Sequence, residues 1–124
     1  MGETGLIANH PTADSAQLYV ELWVSLASLL RSYTAAHGLN GKLQASVELG
    51  EERITVRHGD NWLALSRSGA HVKWSRENGD SGALELNEHG RLVSEAGEEE
   101  MDMAAERWAR ELMAREPKTR EQAQ

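Results

Sequence analysis

The sequence has no cysteine, no phenylalanine and only two prolines among its 124 residues. The absence of cysteine excludes disulfide bonds, thiolate nucleophiles and the cysteine-containing zinc and iron–sulfur sites. The sequence also lacks an apolar run long enough for a signal peptide or a membrane span, and no Lys or Arg precedes Arg31. We therefore expect a cytoplasmic protein with no membrane contact and no cofactor.

Basic residues are fewer than acidic ones, 13 against 20, which gives a net charge of −7. On average such a chain repels nucleic acid and anionic membranes, and this disfavours a nucleic-acid partner. The charge is unevenly distributed, however. Residues 42–93 contain seven Lys or Arg and eight acids, whereas the rest of the chain contains six and twelve. The central segment can therefore present a basic surface even though the whole chain is acidic.

Two segments have the apolar spacing of three and four residues that is typical of amphipathic helices, at about 14–37 and 98–116. Residues 1–11 and 117–124 lack such a pattern, and we predict that both ends are disordered. The sequence thus predicts a single domain over residues 12–116.

Between the helices, alternating polarity and glycine-bearing turns predict about five to six short strands. They are placed at about 42–49, 53–57, 62–66, 71–76, 83–87 and 91–94. Connections this short join antiparallel neighbours, so the strands should form a meander. The predicted fold class is α+β, a two-layer sandwich with both helices on one face of an antiparallel sheet.

No motif indicates catalysis or a resident metal. The string at 79–82, GDSG, resembles the stretch around the nucleophilic serine of trypsin-like proteases, but the chain is too short for their two barrels, and we interpret it as a turn. The five histidines stand singly, mostly in turns or at helix ends, and we expect them to be solvated; they are His10, His37, His58, His71 and His89. We predict that the protein is not an enzyme, with no catalytic, cofactor-binding or metal-binding residue.

The outward face of the sheet is the candidate site, because alternation sends its Lys and Arg side chains to that face. Strand 62–66, WLALS, is ambiguous, since either Trp62 or the pair Leu63 and Leu65 must face outward. Apolar surface among cations is typical of a contact patch. The predicted partner-binding residues are Lys42, Arg53, Arg57, Trp62, Leu63, Leu65, His71 and Lys73. The alternative is a solvated face whose cations prevent pairing at sheet edges.

The order of helix, antiparallel meander and helix resembles the frataxin-like fold. The segments LYVELWVSLASLLRSY and NWLALSRSGAHVKW look like the corresponding parts of bacterial frataxins, and the first also looks like that of a frataxin-like accessory subunit of bacterial respiratory complex I. Frataxins carry an acidic ridge on the first helix and strand, implicated in iron binding. Here that helix has only Asp14 and Glu21, so the resemblance implies the fold and a habit of protein contact rather than iron binding.

The leading hypothesis is a non-enzymatic accessory module that binds a partner protein through the basic outer face of its sheet, with a homodimer through that face also possible. The alternative is frataxin-like iron handling by the acids between Glu98 and Asp102. A structural explanation for these acids is their attraction to the positive end of the second helix. Binding of a small ligand or nucleic acid is the third.

Overall fold

A computed structural model of the chain describes residues 13–39 and 43–114, the side chains of 13–15 excepted. The predicted disordered ends, residues 1–11 and 117–124, lie outside the described residues, as does Lys42. Within the described part, one helix precedes a run of strands and a second helix follows it. The predicted α+β class, with an antiparallel sheet, is therefore confirmed.

The elements are, in chain order, α1 (Ala13–His37), β1 (Ser46–Leu49), β2 (Arg53–His58), β3 (Asn61–Ser68), β4 (His71–Arg76), β5 (Ser81–Leu86), β6 (Arg91–Ser94), β7 (Gly97–Glu100) and α2 (Met101–Ala114). The strands form one open sheet in the order β1-β2-β3-β4-β5-β6-β7, so every strand lies beside its neighbours in sequence. All six pairings are antiparallel, as the short connections predict.

The seventh strand, β7, replaces the first turn of the predicted second helix, which in fact begins at Met101. Gly97 has a φ of 128°, a backbone angle that side-chain-bearing residues rarely adopt, and it lets the chain reverse after β6. Glu98 and Glu100 then lie on the side of β7 where Arg91 of β6 can pair with both. Cross-strand ion pairs thus keep Glu98 and Glu100 in a strand. Local preference alone would favour these acids at the start of a helix.

The core is one hydrophobic cluster to which both helices and the sheet contribute. Alternate strand residues enter it from the side that we call the inner face, and they are fully buried; they include Ile54, Val56, Leu63, Leu65 and Val72. Trp23 of α1 and Trp108 of α2 are also buried, as their helical spacing predicts. Trp74 is partly buried and packs against this cluster. The residues between the buried strand positions form the opposite side, the outer face.

Polar contacts join the exposed rim of the two helices. The Tyr33 hydroxyl donates a hydrogen bond to Asp102 Oδ1 at 2.6 Å, and His37 Nε2 lies 3.0 Å from Glu106 Oε2. Because both partners advance by four residues, α1 and α2 run in the same direction at this contact. The bond to Asp102 and the nearby negative charges raise the pKa of Tyr33 above its usual value.

Candidate functional site

The register of β2 and β3 resolves which apolar residue of strand 62–66 faces outward. Trp62 is the direct cross-strand partner of Arg57, so both side chains lie on the outer face. Arg57 is exposed and Trp62 is partly exposed. The backbone N–H of Trp62 donates a hydrogen bond to Glu77 Oε1 at 2.9 Å, which fixes the start of β3 beside the end of β4.

The assignment of Leu63 and Leu65 to the partner-binding set was wrong. Both are 0% exposed and belong to the core cluster. Since successive side chains of a strand point to opposite faces, an outward Trp62 requires an inward Leu63 and Leu65. The outward position between them is occupied by Ala64, whose short side chain leaves a depression in the outer face at that point.

The remaining predicted residues with described positions lie together on the outer face. Arg53, Ser66 and Lys73 form one row across β2, β3 and β4. Arg57 and Trp62 form a second row, which starts four residues further along β2, about 13 Å away at strand geometry. All three cations are exposed.

Between these rows runs a line of short side chains that we call the trough: Thr55, Ala64, Ser75 and Ser81, paired successively across β2 to β5. A depression of about 510 Å³ lies on this part of the face, and its lining includes Arg53, Ala64, Ser66, Lys73, Ser75 and Ser81. These small residues carry no motif, and they are absent from the predicted partner-binding set. On β3 and β4 they alternate with large inward residues, and this pattern could have predicted an outer face of small side chains.

The side chains of the three outer-face cations, Arg53, Arg57 and Lys73, differ from those of the other described Lys and Arg residues in having no partner. The side chains of Arg53, Arg57 and Lys73 make no hydrogen bond or ion pair within the part of the chain that the structure describes. Every other arginine with a described side chain is engaged: Arg31 with the Val47 carbonyl, Arg67 with the Gly69 carbonyl, Arg76 with Glu111, Arg91 with Glu98 and Glu100, Arg107 with Glu99 and Arg110 with Glu106. The unpaired positive charge is therefore concentrated between β2 and β4.

On the other half of the outer face, basic side chains pair with glutamates of neighbouring strands. His71 is exposed, as predicted, but its Nδ1 pairs with Glu85 Oε2 of β5. Further along, Arg91 pairs with Glu98 and Glu100. The basic character predicted for the whole face is therefore confined to its β2–β4 part, and His71 marks the boundary.

The acids from Glu98 to Asp102 are divided between different partners. Glu99 points away from its two neighbours and accepts two hydrogen bonds from Arg107, at 2.8 and 3.1 Å, which raise the pKa of that arginine. Asp102 accepts the bond from Tyr33. Among the described residues, no three His, Asp or Glu side chains are grouped so that they could hold a metal ion. Iron handling by these acids gains no support from this geometry.

Among the histidines that the structure describes, only His58 is buried, at 6% exposure, and the expectation that it is solvated was wrong. It ends β2 at an inward position, two residues after Val56, and pairs with Asn61 across the hairpin. The alternation of Ile54, Val56 and His58 could have predicted this position. Its Nδ1 has no hydrogen-bond partner among the described residues.

Comparison of the chain with protein-family models, with curated proteins and with solved structures found no match in any of the three. The resemblance to frataxins stays a prediction from the sequence. In the described part of the chain, neither helix combines the length and apolarity that a membrane crossing requires.

Proposed function

We propose that this protein is a non-enzymatic, cytoplasmic module that binds a partner protein through the β2–β4 part of its outer face, using Arg53, Arg57, Trp62 and Lys73. One observation carries the proposal. The three Lys and Arg residues that lack a partner among the described side chains are all on this part of the sheet, beside a partly exposed tryptophan. Tryptophan and arginine are enriched among the residues that dominate protein–protein binding energy.

The arrangement of the layers supports an open outer face. We infer that α1 and α2 both cover the inner face, since they contact each other and share one core cluster with the inward strand residues. The element order of helix, antiparallel meander and helix also supports a frataxin-like layout, which we retain as a proposal about the fold. With both helices on one side, no described element covers the outer face.

The strand order argues against the alternative role for these cations. Lys and Arg on an edge strand discourage pairing with another chain. Arg53 and Arg57, however, lie on β2, and Lys73 lies on β4, and both strands are inside the sheet with neighbours on each side. They have no free edge to protect. Their exposure without a partner therefore fits a surface used for recognition, where charges speed association and select the partner.

Affinity capture with matched variants tests the proposal. The bait is the full chain, as wild type and as the Arg53→Glu, Arg57→Glu double variant. The control variant, Arg31→Glu with Arg110→Glu, changes the net charge equally at exposed arginines of α1 and α2. Circular dichroism first establishes that all three fold.

We expect wild type and control to capture the same protein, and the outer-face variant to lose it. A purified complex of that protein with wild type would then give the dissociation constant for each variant. Equal affinity of the outer-face variant and the control would contradict the proposal.

A further inference from the structure

We infer that the partner element received by the outer face is an acidic polypeptide segment that lies in the trough between the Arg53–Lys73 row and the Arg57–Trp62 row. This inference rests on the proposed function and names the chemistry of its partner. The charge, the shape and the neighbours of the trough each support it.

The charge around the trough is complementary to carboxylates. The chain has 20 acidic residues and only 13 basic ones, yet Arg53, Arg57 and Lys73 have no carboxylate partner within its described part. Arginine binds carboxylates with two parallel charge-assisted hydrogen bonds, a geometry that this chain already uses between Arg107 and Glu99. An acidic segment would provide Arg53, Arg57 and Lys73 with carboxylate partners. Four other arginines have such partners within the described part of the chain: Arg76, Arg91, Arg107 and Arg110.

The shape of the trough suits a polypeptide. Its floor is built from Thr55, Ala64, Ser75 and Ser81, none of which has a side chain longer than that of threonine. The flanking rows are about 13 Å apart at β2, measured between backbones, and their side chains narrow the space between them, so the trough suits an extended segment better than a helix of about 10–12 Å diameter. The hydroxyls of Ser75 and Ser81 have no hydrogen-bond partner among the described residues and are available to a bound segment.

The neighbouring acids limit where such a segment can lie. Glu48 of β1, the cross-strand partner of Thr55, lies on the same face at the β1 end of the trough. Glu85, Glu98 and Glu100 lie on that face on β5 and β7, and each is already paired with a basic side chain of this chain. Additional carboxylates placed there would meet like charge, which disfavours that register. The acidic segment is therefore confined to the β2–β4 part.

A nucleic acid is the less favoured occupant. Single strands bind through bases stacked on several aromatic side chains, and Trp62 is the only aromatic residue at an outward strand position of β2–β4. The chain's net charge of −7 also opposes a polyphosphate at long range.

Titration of the ¹⁵N-labelled full chain with three short probes tests the inference. The first is a capped peptide of alternating Glu and Ala, the second is the same peptide with Gln in place of Glu, and the third is an oligothymidylate of equal charge. We expect the Glu peptide alone to shift the amides of Ala64, Ser66, Ser75 and Ser81. Replacing Arg53 and Lys73 by Gln should weaken its binding by between about two- and thirtyfold, the range for two exposed charge pairs. The Arg31→Gln, Arg110→Gln control should bind it as wild type does.

Several results would overturn the acidic-segment inference. They are equal binding of the Gln peptide, shifts that fall away from the trough, no shifts at all, preferential binding of the oligothymidylate, and concentration-dependent shifts of the same amides without any probe, which would make a second copy the occupant. The first of these leaves the outer face a protein-binding surface and removes only its preference for acids. The capture experiment reports independently on the proposed function, because it depends on the natural partner and not on a chosen peptide.

Discussion

The contact between Gly82 and Trp74 provides a sharp test of the sheet register. The two residues are direct cross-strand partners on the inner face, and the indole of Trp74 lies over the position that a side chain at 82 would occupy. A Cβ at Gly82 would lie 2.5 Å from Trp74 Nε1 and 2.8 Å from Cε2. Normal carbon contacts are about 3.5–4.0 Å, so Gly82→Ala forces either the ring or strand β5 to move.

The sign of the stability change separates this steric effect from backbone effects. Gly82 does not have the positive φ that would itself oppose a side chain. Without a clash, Gly→Ala should therefore stabilise the fold by about 0.4–1 kcal/mol through the unfolded state. With the clash we expect a loss of about 1–3 kcal/mol, the usual cost of overpacking.

Gly50→Ala is the matched control, because the nearest atom to its new Cβ is the Arg53 carbonyl oxygen at an ordinary 3.6 Å. Urea unfolding followed by circular dichroism should show Gly82→Ala less stable than wild type and Gly50→Ala unchanged or more stable. In a Trp74→Leu background the cost of Gly82→Ala should largely disappear. If Gly82→Ala costs nothing, or costs as much in the Trp74→Leu background as in wild type, the indole of Trp74 does not lie against residue 82.

The burial of Leu63, Trp62 and Trp108 sets what each substitution by alanine should cost. Leu63→Ala should lower the free energy of unfolding by about 2–5 kcal/mol without a specific effect on partner capture. Trp62→Ala, at a ring that is only partly buried, should weaken partner capture in a protein that still folds. Urea unfolding and capture of both variants measure the difference. Trp108→Ala, at a ring that is 2% exposed, should cost about 3–5 kcal/mol in the same unfolding assay, and a loss below about 1 kcal/mol would contradict its place in the core.

The raised pKa of Tyr33 means that its neutral form is favoured in the fold by the bond to Asp102. The resulting stabilisation is present below the ordinary pKa of 10.0 and is lost as the pH rises through the higher folded value. Wild type should therefore exceed Tyr33→Phe in unfolding free energy near neutral pH and converge with it at alkaline pH, and a constant difference would argue against the bond.

Much of the fold was predictable because it depends on local pattern. The helical spacing of α1 and the period-two alternation of β2 to β4 arise from burial of one face, and both are visible along the sequence. Strand 62–66 stayed ambiguous because Ala64 is apolar yet small enough to lie on the outer face. The register is decided by the pairing of Trp62 with Arg57 in the folded sheet, which the sequence alone does not show.

The acids of 98–100 show a second limit of sequence reasoning. Local preference and the helix dipole both favour the start of a helix at these residues. They form a strand instead, because Arg91 of β6 and Arg107 of α2 make ion pairs with them. The candidate site has the same limit. In the sequence, Arg53 and Arg57 look no different from arginines such as Arg76, and only the folded chain shows which of them have a carboxylate partner.

Site-specific photo-crosslinking in the native cell is the most direct test of the central claim, that the β2–β4 part of the outer face binds a partner protein. A photoreactive phenylalanine analogue at Ser68, an exposed residue next to the Arg53–Lys73 row, should form one major adduct with another protein. The same analogue at Ser32, which is exposed on α1, should not form it. Loss of the Ser68 adduct in the Arg53→Glu, Arg57→Glu background would complete the expected result. An adduct of equal yield from Ser32, or none from Ser68, would contradict the account.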